Sequence, residues 1–197
     1  MIVVDCELSG LDPEKDSILS IGAVDMNNVS RIFNEECKIW DGAHVSEEAL
    51  AVNGYTHAQI TDPVKMSEAE LIKKFFAWLA EVVDHTIAGQ NVWVDCAFLR
   101  SASKRGHIDF PLARRVVDIH SLCFGHMIKR GLVPPLEHGR SNLSSDTISK
   151  YCGIPREPKP HLALNGAKYE AEQLSRLLYD RPFFTEFKKY PIPWVSI

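Results

Sequence analysis

The chain has 197 residues, 45% of them apolar and 24% charged, with a formal net charge of −4 at neutral pH. That length suffices for one domain burying on the order of 70% of its unfolded surface, and the composition is that of a soluble globular protein. The charge, with no basic block, argues against a protein that coats long nucleic acid by neutralising phosphates; it leaves room for an enzyme that grips a few nucleotides where a metal supplies the positive charge. No apolar run approaches the roughly 20 residues of a membrane span. The N-terminus runs directly into a strand pattern without a basic, cleavable leader, so a cytoplasmic protein is the expectation. Five scattered cysteines without a CxxC pair fit free thiols in a reducing compartment.

Strand signals come first, over residues 2–7, 17–25 and 30–40, separated by Gly10, Asp12 and Pro13 and then by Asn27 and Asn28. These short gaps predict an antiparallel meander. Ser46 is a good N-cap for a short helix that Gly54 can close, and Glu47 and Glu48 suit its first turn. Ser67 with Glu70 makes a capping box for a longer helix, whose apolar stripe holds Leu71, Ile72, Phe75, Phe76, Trp78 and Leu79. A short strand is expected over 85–88, a helix over 94–103, a strand over 115–119 and a helix through about Lys129. A helix capped by Ser144 or Ser145 ends near Gly153. After a Pro-rich loop, the final long helix covers about 163–179. The tail, 181–197, is rich in aromatics and is expected to pack back on the body. Strands followed by helix–strand alternation predict an α/β fold, a mixed β-sheet flanked by helices on both faces, in a single domain spanning 1–197.

Three segments carry polar residues that their local structure does not need. In VVDCELSGL, Asp5 and Glu7 point to the same side of one strand, their backbones about 7 Å apart. Such a pair either lies solvated at the strand end or is held by a hard divalent cation, for which carboxylates suit magnesium or manganese. In QNVWVDCAFL, Asn91 and Asp95 interrupt an apolar stretch; Asp95 alone reads as a first-turn acid facing a helix dipole. In HLALNGAKYEAEQL, His161 follows the Pro-rich loop, where a lone histidine is commonly a cap or a surface residue.

Taken together, the three segments resemble the motifs of the DEDD-type 3′→5′ exonuclease family, in its catalytic-histidine subclass, which includes polymerase proofreading subunits and oligoribonuclease. The resemblance spans Val3 to about Leu178. Asp5 to Leu11 matches DxExTGL with Ser9 for Thr. SILSIGAV resembles the family's second strand, VSEEALAVNGYTHAQI the segment after its third, and GQNVWVDCAFL its second acid motif, with Asp95 as the acid. Asp118 falls where the family often has an aspartate. His161 to Ala167 matches HxAxxDA except at Gly166, which stands where the family has a metal-binding aspartate. Gly inside a helix is also locally costly, by about 1 kcal/mol relative to Ala. Three readings are open: a weakened natural site, such as a binding protein on a nuclease scaffold; an aspartate lost in this copy; or compensation. Glu170, one helical turn on and leaning back toward the N-terminus, is the leading substitute, and Asn165 is another oxygen source.

The resemblance implies a ribonuclease H-like fold and a nuclease acting on single-stranded DNA or RNA 3′ ends or short oligonucleotides, releasing nucleoside 5′-monophosphates. It implies two Mg²⁺ or Mn²⁺ ions. Asp5, Glu7 and Asp95 are the implied metal ligands, with Glu170 added as the substitute, and His161 is the implied general base. Leu8, Ser9, Leu11 and Asn91 are the implied substrate-binding residues. The alternatives are a nucleic-acid-binding module without turnover, and an unrelated α/β domain matching by chance. His120-x-x-Cys123-x-x-His126 is not read as a zinc site, because helical spacing spreads the side chains and a fourth ligand is absent. The segment 138–145 reads as loop.

Overall fold

A computed structural model describes residues 1–195; the last two residues of the expected tail, Ser196 and Ile197, lie outside that range. The meander forms as the turn residues predict. Strands β1 (Ile2–Leu8), β2 (Ile18–Asp25) and β3 (Ile32–Glu36) pair antiparallel. The third strand is shorter than its apolar pattern suggests. From Lys38 onward its amides leave the sheet: Lys38 N–H donates to Met66 O and Ile39 N–H to Ile60 O.

Helix α1 (Glu47–Asn53) is capped by Ser46 and closed by Gly54 in the left-handed conformation. A four-residue helix α2 (His57–Ile60) follows, which the hydrophobic pattern did not predict; it rests on a capping box between Thr56 and Gln59. Helix α3 (Glu68–Leu79) has the expected Ser67–Glu70 box. The next strand, β4 (Ile87–Gly89), starts later than expected, because Asp84 Oδ1 accepts the Thr86 N–H in a turn. Helix α4 (Trp93–Arg105), strand β5 (Val116–Asp118) and helix α5 (Ile119–Lys129) come next. The expected loop at 138–145 begins instead in a small hairpin, β6 (Leu136–Glu137) and β7 (Arg140–Ser141). Its turn is made by His138 and Gly139 at positive φ, which Gly adopts without strain. Helix α6 (Ser145–Tyr151) is capped by Ser144, and α7 (Ala163–Tyr179) occupies its expected span.

The main sheet has the order β3-β2-β1-β4-β5, with β4 and β5 parallel to β1. Residue alternation along β1 splits the core. Ile2, Val4 and Cys6 pack with Leu71, Phe75, Phe98 and Leu99 of α3 and α4. Val3 packs on the other face with Ile119, Ala167, Ala171 and Leu174 of α5 and α7. Asp5 and Glu7 continue the Val3 row, so β1 aims both acids toward α7.

The tail's described residues pack as expected. Phe184 and Phe187 are buried in the second core, and Trp194 stacks on Tyr151. The buried pair Arg176 and Glu172 holds them. Arg176 donates to Glu172 Oε1 at 2.6 Å and to the carbonyls of Cys152, Phe187 and Tyr190, while Glu172 Oε2 accepts the Phe183 and Phe184 amides. Among the described residues all five cysteines are free thiols, and no helix is long and apolar enough to cross a membrane.

Candidate active site

The acids collect at the C-terminal end of β1, where parallel strands leave a crevice. Two close backbone approaches set the geometry. Gly22 of β2 lies opposite Asp5 in the strand register. A β-carbon on Gly22 would fall 2.1 Å from Ala163 O, so only glycine lets the first turn of α7 rest on β2. One turn later Gly166 meets Asp5 itself: its β-carbon would lie 2.1 Å from Asp5 Oδ2. The space of a side chain at 166 is therefore taken by the Asp5 carboxylate.

Asp95 arrives from the opposite side of the sheet. Strand β4 stops at Gly89, leaving the Cys6 amide beyond its partner strand, and Asp95 Oδ1 accepts that N–H at 2.9 Å. The first-turn acid of α4 is thus fixed to the backbone between Asp5 and Glu7. Glu170 is 5% exposed, and its Oε2 is buried without a hydrogen-bond partner. That oxygen lies near Gly89, at the end of β4. Asp118 caps α5 through Oδ1, leaving Oδ2 buried and unpaired.

A residue that the sequence reading passed over joins them. Glu157 comes from the Pro-rich loop; its side chain is 9% exposed and its Oε1 has no hydrogen-bond partner. The one available signal was its position, as the sole acid in residues 155–160 and four before His161. His161 is half-exposed at the mouth. Its Nδ1 lies 3.8 Å from Glu157 Oε2, and its backbone N–H faces Val52 O of α1. Histidine at this position does not cap α7, whose N-cap is Leu162.

Electrostatics follow from this crowding. Burial, then Glu170, Asp95, Glu7 and Glu157, hold the Asp5 carboxyl well above its usual range. Burial, then Glu157 and Asp95, push Glu7 up to about 7. Burial pushes Asp95 to about 7 against the pull of the Cys6 amide. Glu170 is raised well above normal by burial and by Asp95, and Glu157 is raised by burial while His161 draws it back. Among the described residues His161 is the only ion-pair partner of any of these five acids. The donor set, carboxylate oxygens with two of them buried and unpaired, is what a hard divalent cation takes. The acids come from four chain segments, and among the described residues no three His, Cys, Asp or Glu side chains stand close enough together to hold a metal ion as they are placed.

Beside Glu7 is a cavity of about 320 Å³, lined by Cys6, Leu8, Leu11, Val52 and Asn53 among others. Leu11 is 85% exposed at its edge. Asn53 Nδ2 donates to Leu8 O, fixing α1 against β1. One expectation for the substrate residues is corrected. Ser9 is fully buried; its hydroxyl donates to His44 O and accepts the Ser17 N–H, so it shapes the β1–β2 turn and cannot face a ligand. Asn165 lines a neighbouring cleft with Ser20, Asn34 and Tyr55, Ser20 lying opposite Glu7 in the strand register. Asn91 is exposed on the turn into α4 at φ +51°, four residues before Asp95. The His120, Cys123 and His126 side chains diverge, with His120 on Ser141, Cys123 in the core and His126 on Tyr151.

Comparison with known proteins gives the family and the fold. The family model described as "Exonuclease" (RNase_T) matches residues 2–174. Two curated relatives are DNA polymerase III PolC-type proteins. That of Thermotoga maritima is 26% identical over 149 residues, covering 71% of this chain and 10% of the relative. That of Pediococcus pentosaceus is 26% identical over 178 residues, covering 90% and 11%. The chain thus spans about a tenth of the length of the curated relatives it matches. Among solved structures, the nuclease domain of 3′hExo, a DEDDh family member bound to rAMP, superposes with a TM-score of 0.71 at 18% identity, covering 93% of each chain. E. coli exonuclease I in complex with a dT13 oligonucleotide gives 0.70 at 19% identity, covering 89% of this chain and 40% of that one. With the five-stranded mixed sheet flanked by helices, these matches give a ribonuclease H-like fold, and the chain belongs to the exonuclease (RNase_T) family.

Proposed function

We propose that this chain is a divalent-cation-dependent 3′→5′ exonuclease, built as one domain over residues 1–197, that hydrolyses the terminal phosphodiester of single-stranded DNA or RNA or of short oligonucleotides. The observation that carries the reading is the convergence of Asp5, Glu7, Asp95 and Glu170 at one strand end, beside an apolar slot and a half-exposed histidine. Five acids with no Lys or Arg ion pair among the described residues call for positive charge from outside the chain. Asp5, Glu7, Asp95 and Glu170 would hold two Mg²⁺ or Mn²⁺ ions, which would supply that charge and stabilise the attacking and leaving oxygens.

The chain's own groups do the rest. The slot between Leu8 and Leu11 accepts the terminal base, and Asn91 at the turn into α4 is a further substrate contact. His161, at the mouth on a Pro-rich segment, takes the proton from the attacking water as the general base. The water oxygen bonds to phosphorus, the P–O3′ bond breaks, and the 3′ oxygen leaves with a proton from solvent. A nucleoside 5′-monophosphate results. The free thiols fit a reducing, cytoplasmic setting.

The test is incubation of a 5′-labelled single strand with the protein and Mn²⁺. A ladder shortening from the 3′ end, with nucleoside 5′-monophosphate released, is expected. An intact strand that stays bound overturns turnover and leaves a binding module on the same fold.

A further inference from the structure

Gly166 cannot contribute a carboxylate, and Asp5 fills the space where one would start. The number of acids at the crevice is nevertheless kept up by Glu157. Unlike Asp5 and Glu7 on a strand, or Asp95 and Glu170 on helices, it rides on the loop between α6 and α7. Its side chain is nine-tenths buried, one oxygen is unpaired, and the nearest cationic group is His161 at 3.8 Å. The carboxylate takes the Leu162 N–H and lies against His161, yet its Oε1 is buried with no partner, and burial near Asp5 and Glu7 adds repulsion. Arg156 and Lys159, its near neighbours in sequence, point away, Arg156 pairing with Asp146 and Lys159 being exposed.

We propose that Glu157 is a ligand of the divalent cation, supplying with Asp5 and Glu7 the carboxylate that position 166 does not. This rests on the cation-dependent reading above. Glu170 is enclosed near Gly89 and held by its helix, whereas Glu157 comes from the loop before α7 and lies close enough to Glu7 to raise its carboxyl.

The test is Mn²⁺ binding to the metal-free protein, read by the loss of the free-ion electron paramagnetic resonance signal and by calorimetry, without substrate. Wild-type protein is expected to bind, Glu157→Gln to weaken binding at least roughly tenfold, the scale on which metal sites lose affinity when one supporting group is removed, and Glu157→Asp to fall between. Exposed Glu137→Gln is expected to bind as wild type. Near-ultraviolet circular dichroism in chelator checks that each variant is folded. Wild-type affinity in folded Glu157→Gln overturns the assignment alone. Weakening in Glu157→Gln with undiminished binding in Glu157→Asp indicates long-range charge rather than ligation, and also overturns it. A wild-type protein that binds no Mn²⁺ overturns the cation reading itself, and Glu157 with it.

Discussion

The Asp5 carboxylate stands where the side chain of residue 166 would begin, with Oδ2 at 2.1 Å and Cγ at 2.7 Å from the position of a β-carbon on Gly166. The helix glycine and the strand acid are therefore matched parts. Any side chain at 166 must displace the acid at the centre of the cluster.

This relationship makes a reciprocal prediction. Gly166→Ala in the wild-type background overpacks the contact, at a cost of about 1–3 kcal/mol. In an Asp5→Ala background the space is open, and the same change gains about 1 kcal/mol of helix propensity. Urea denaturation of the four proteins in chelator measures both. The same sign in the two backgrounds would refute the contact.

The raised acids set a pH dependence in the metal-free protein. Glu7 titrates near 7 when folded, against an ordinary 4.5, and Asp95 is raised to about 7 from 3.8. Between those limits the folded state binds more protons than the unfolded one, so stability falls as pH rises. The melting temperature in chelator is expected to drop between pH 5 and pH 8. Glu7→Gln is expected to flatten that slope, and Mn²⁺ to raise the melting temperature most at the upper end. A melting temperature that climbs with pH in chelator would contradict the crowding of these acids.

Arg176 is expected to be a major stability determinant far from the crevice. It and Glu172 are both fully buried, and between them they hold the backbone of Phe183, Phe184, Phe187 and Tyr190. Arg176→Met leaves Glu172 as an uncompensated buried charge, a loss of about 3–5 kcal/mol. Limited proteolysis is expected to release the tail first. A variant as stable as wild type, with a protected tail, would show that the pair is not holding it.

Leu11 offers a test of the apolar slot. Its side chain is 85% exposed without a ligand, so truncation to Ala should leave folding unchanged. Covering a leucine contributes about 1.5–3 kcal/mol, so loss of a base contact should weaken oligonucleotide binding about tenfold. If Leu11→Ala binds a single strand as tightly as wild type, the slot does not receive the base.

Much of the site was legible before any coordinates. Asp5 and Glu7 had to share a face because strand side chains alternate, and they do, along the Val3 row. Ser46, Ser67 and Ser144 marked their helices because a cap is a bond between residues a few positions apart. Helix α2 was missed because four residues are too few to carry a hydrophobic period, and Ser9 was misplaced because its two hydrogen-bond partners lie 8 and 35 residues away.

The sequence by itself determined which segments carry acids, which way the first strand aims them, and that position 166 lacks one. Tertiary structure decided the rest. Asp95 binds the Cys6 amide only because β4 stops at Gly89, Asp5 fills the place of residue 166 only because α7 rests on Gly22, and Glu157 Oε1 is buried although its loop neighbours are exposed. The reason is range. Alternation, caps and helical periods follow from bonds along a few residues, whereas the convergence of these acids follows from strand register and helix crossing between segments up to 165 residues apart.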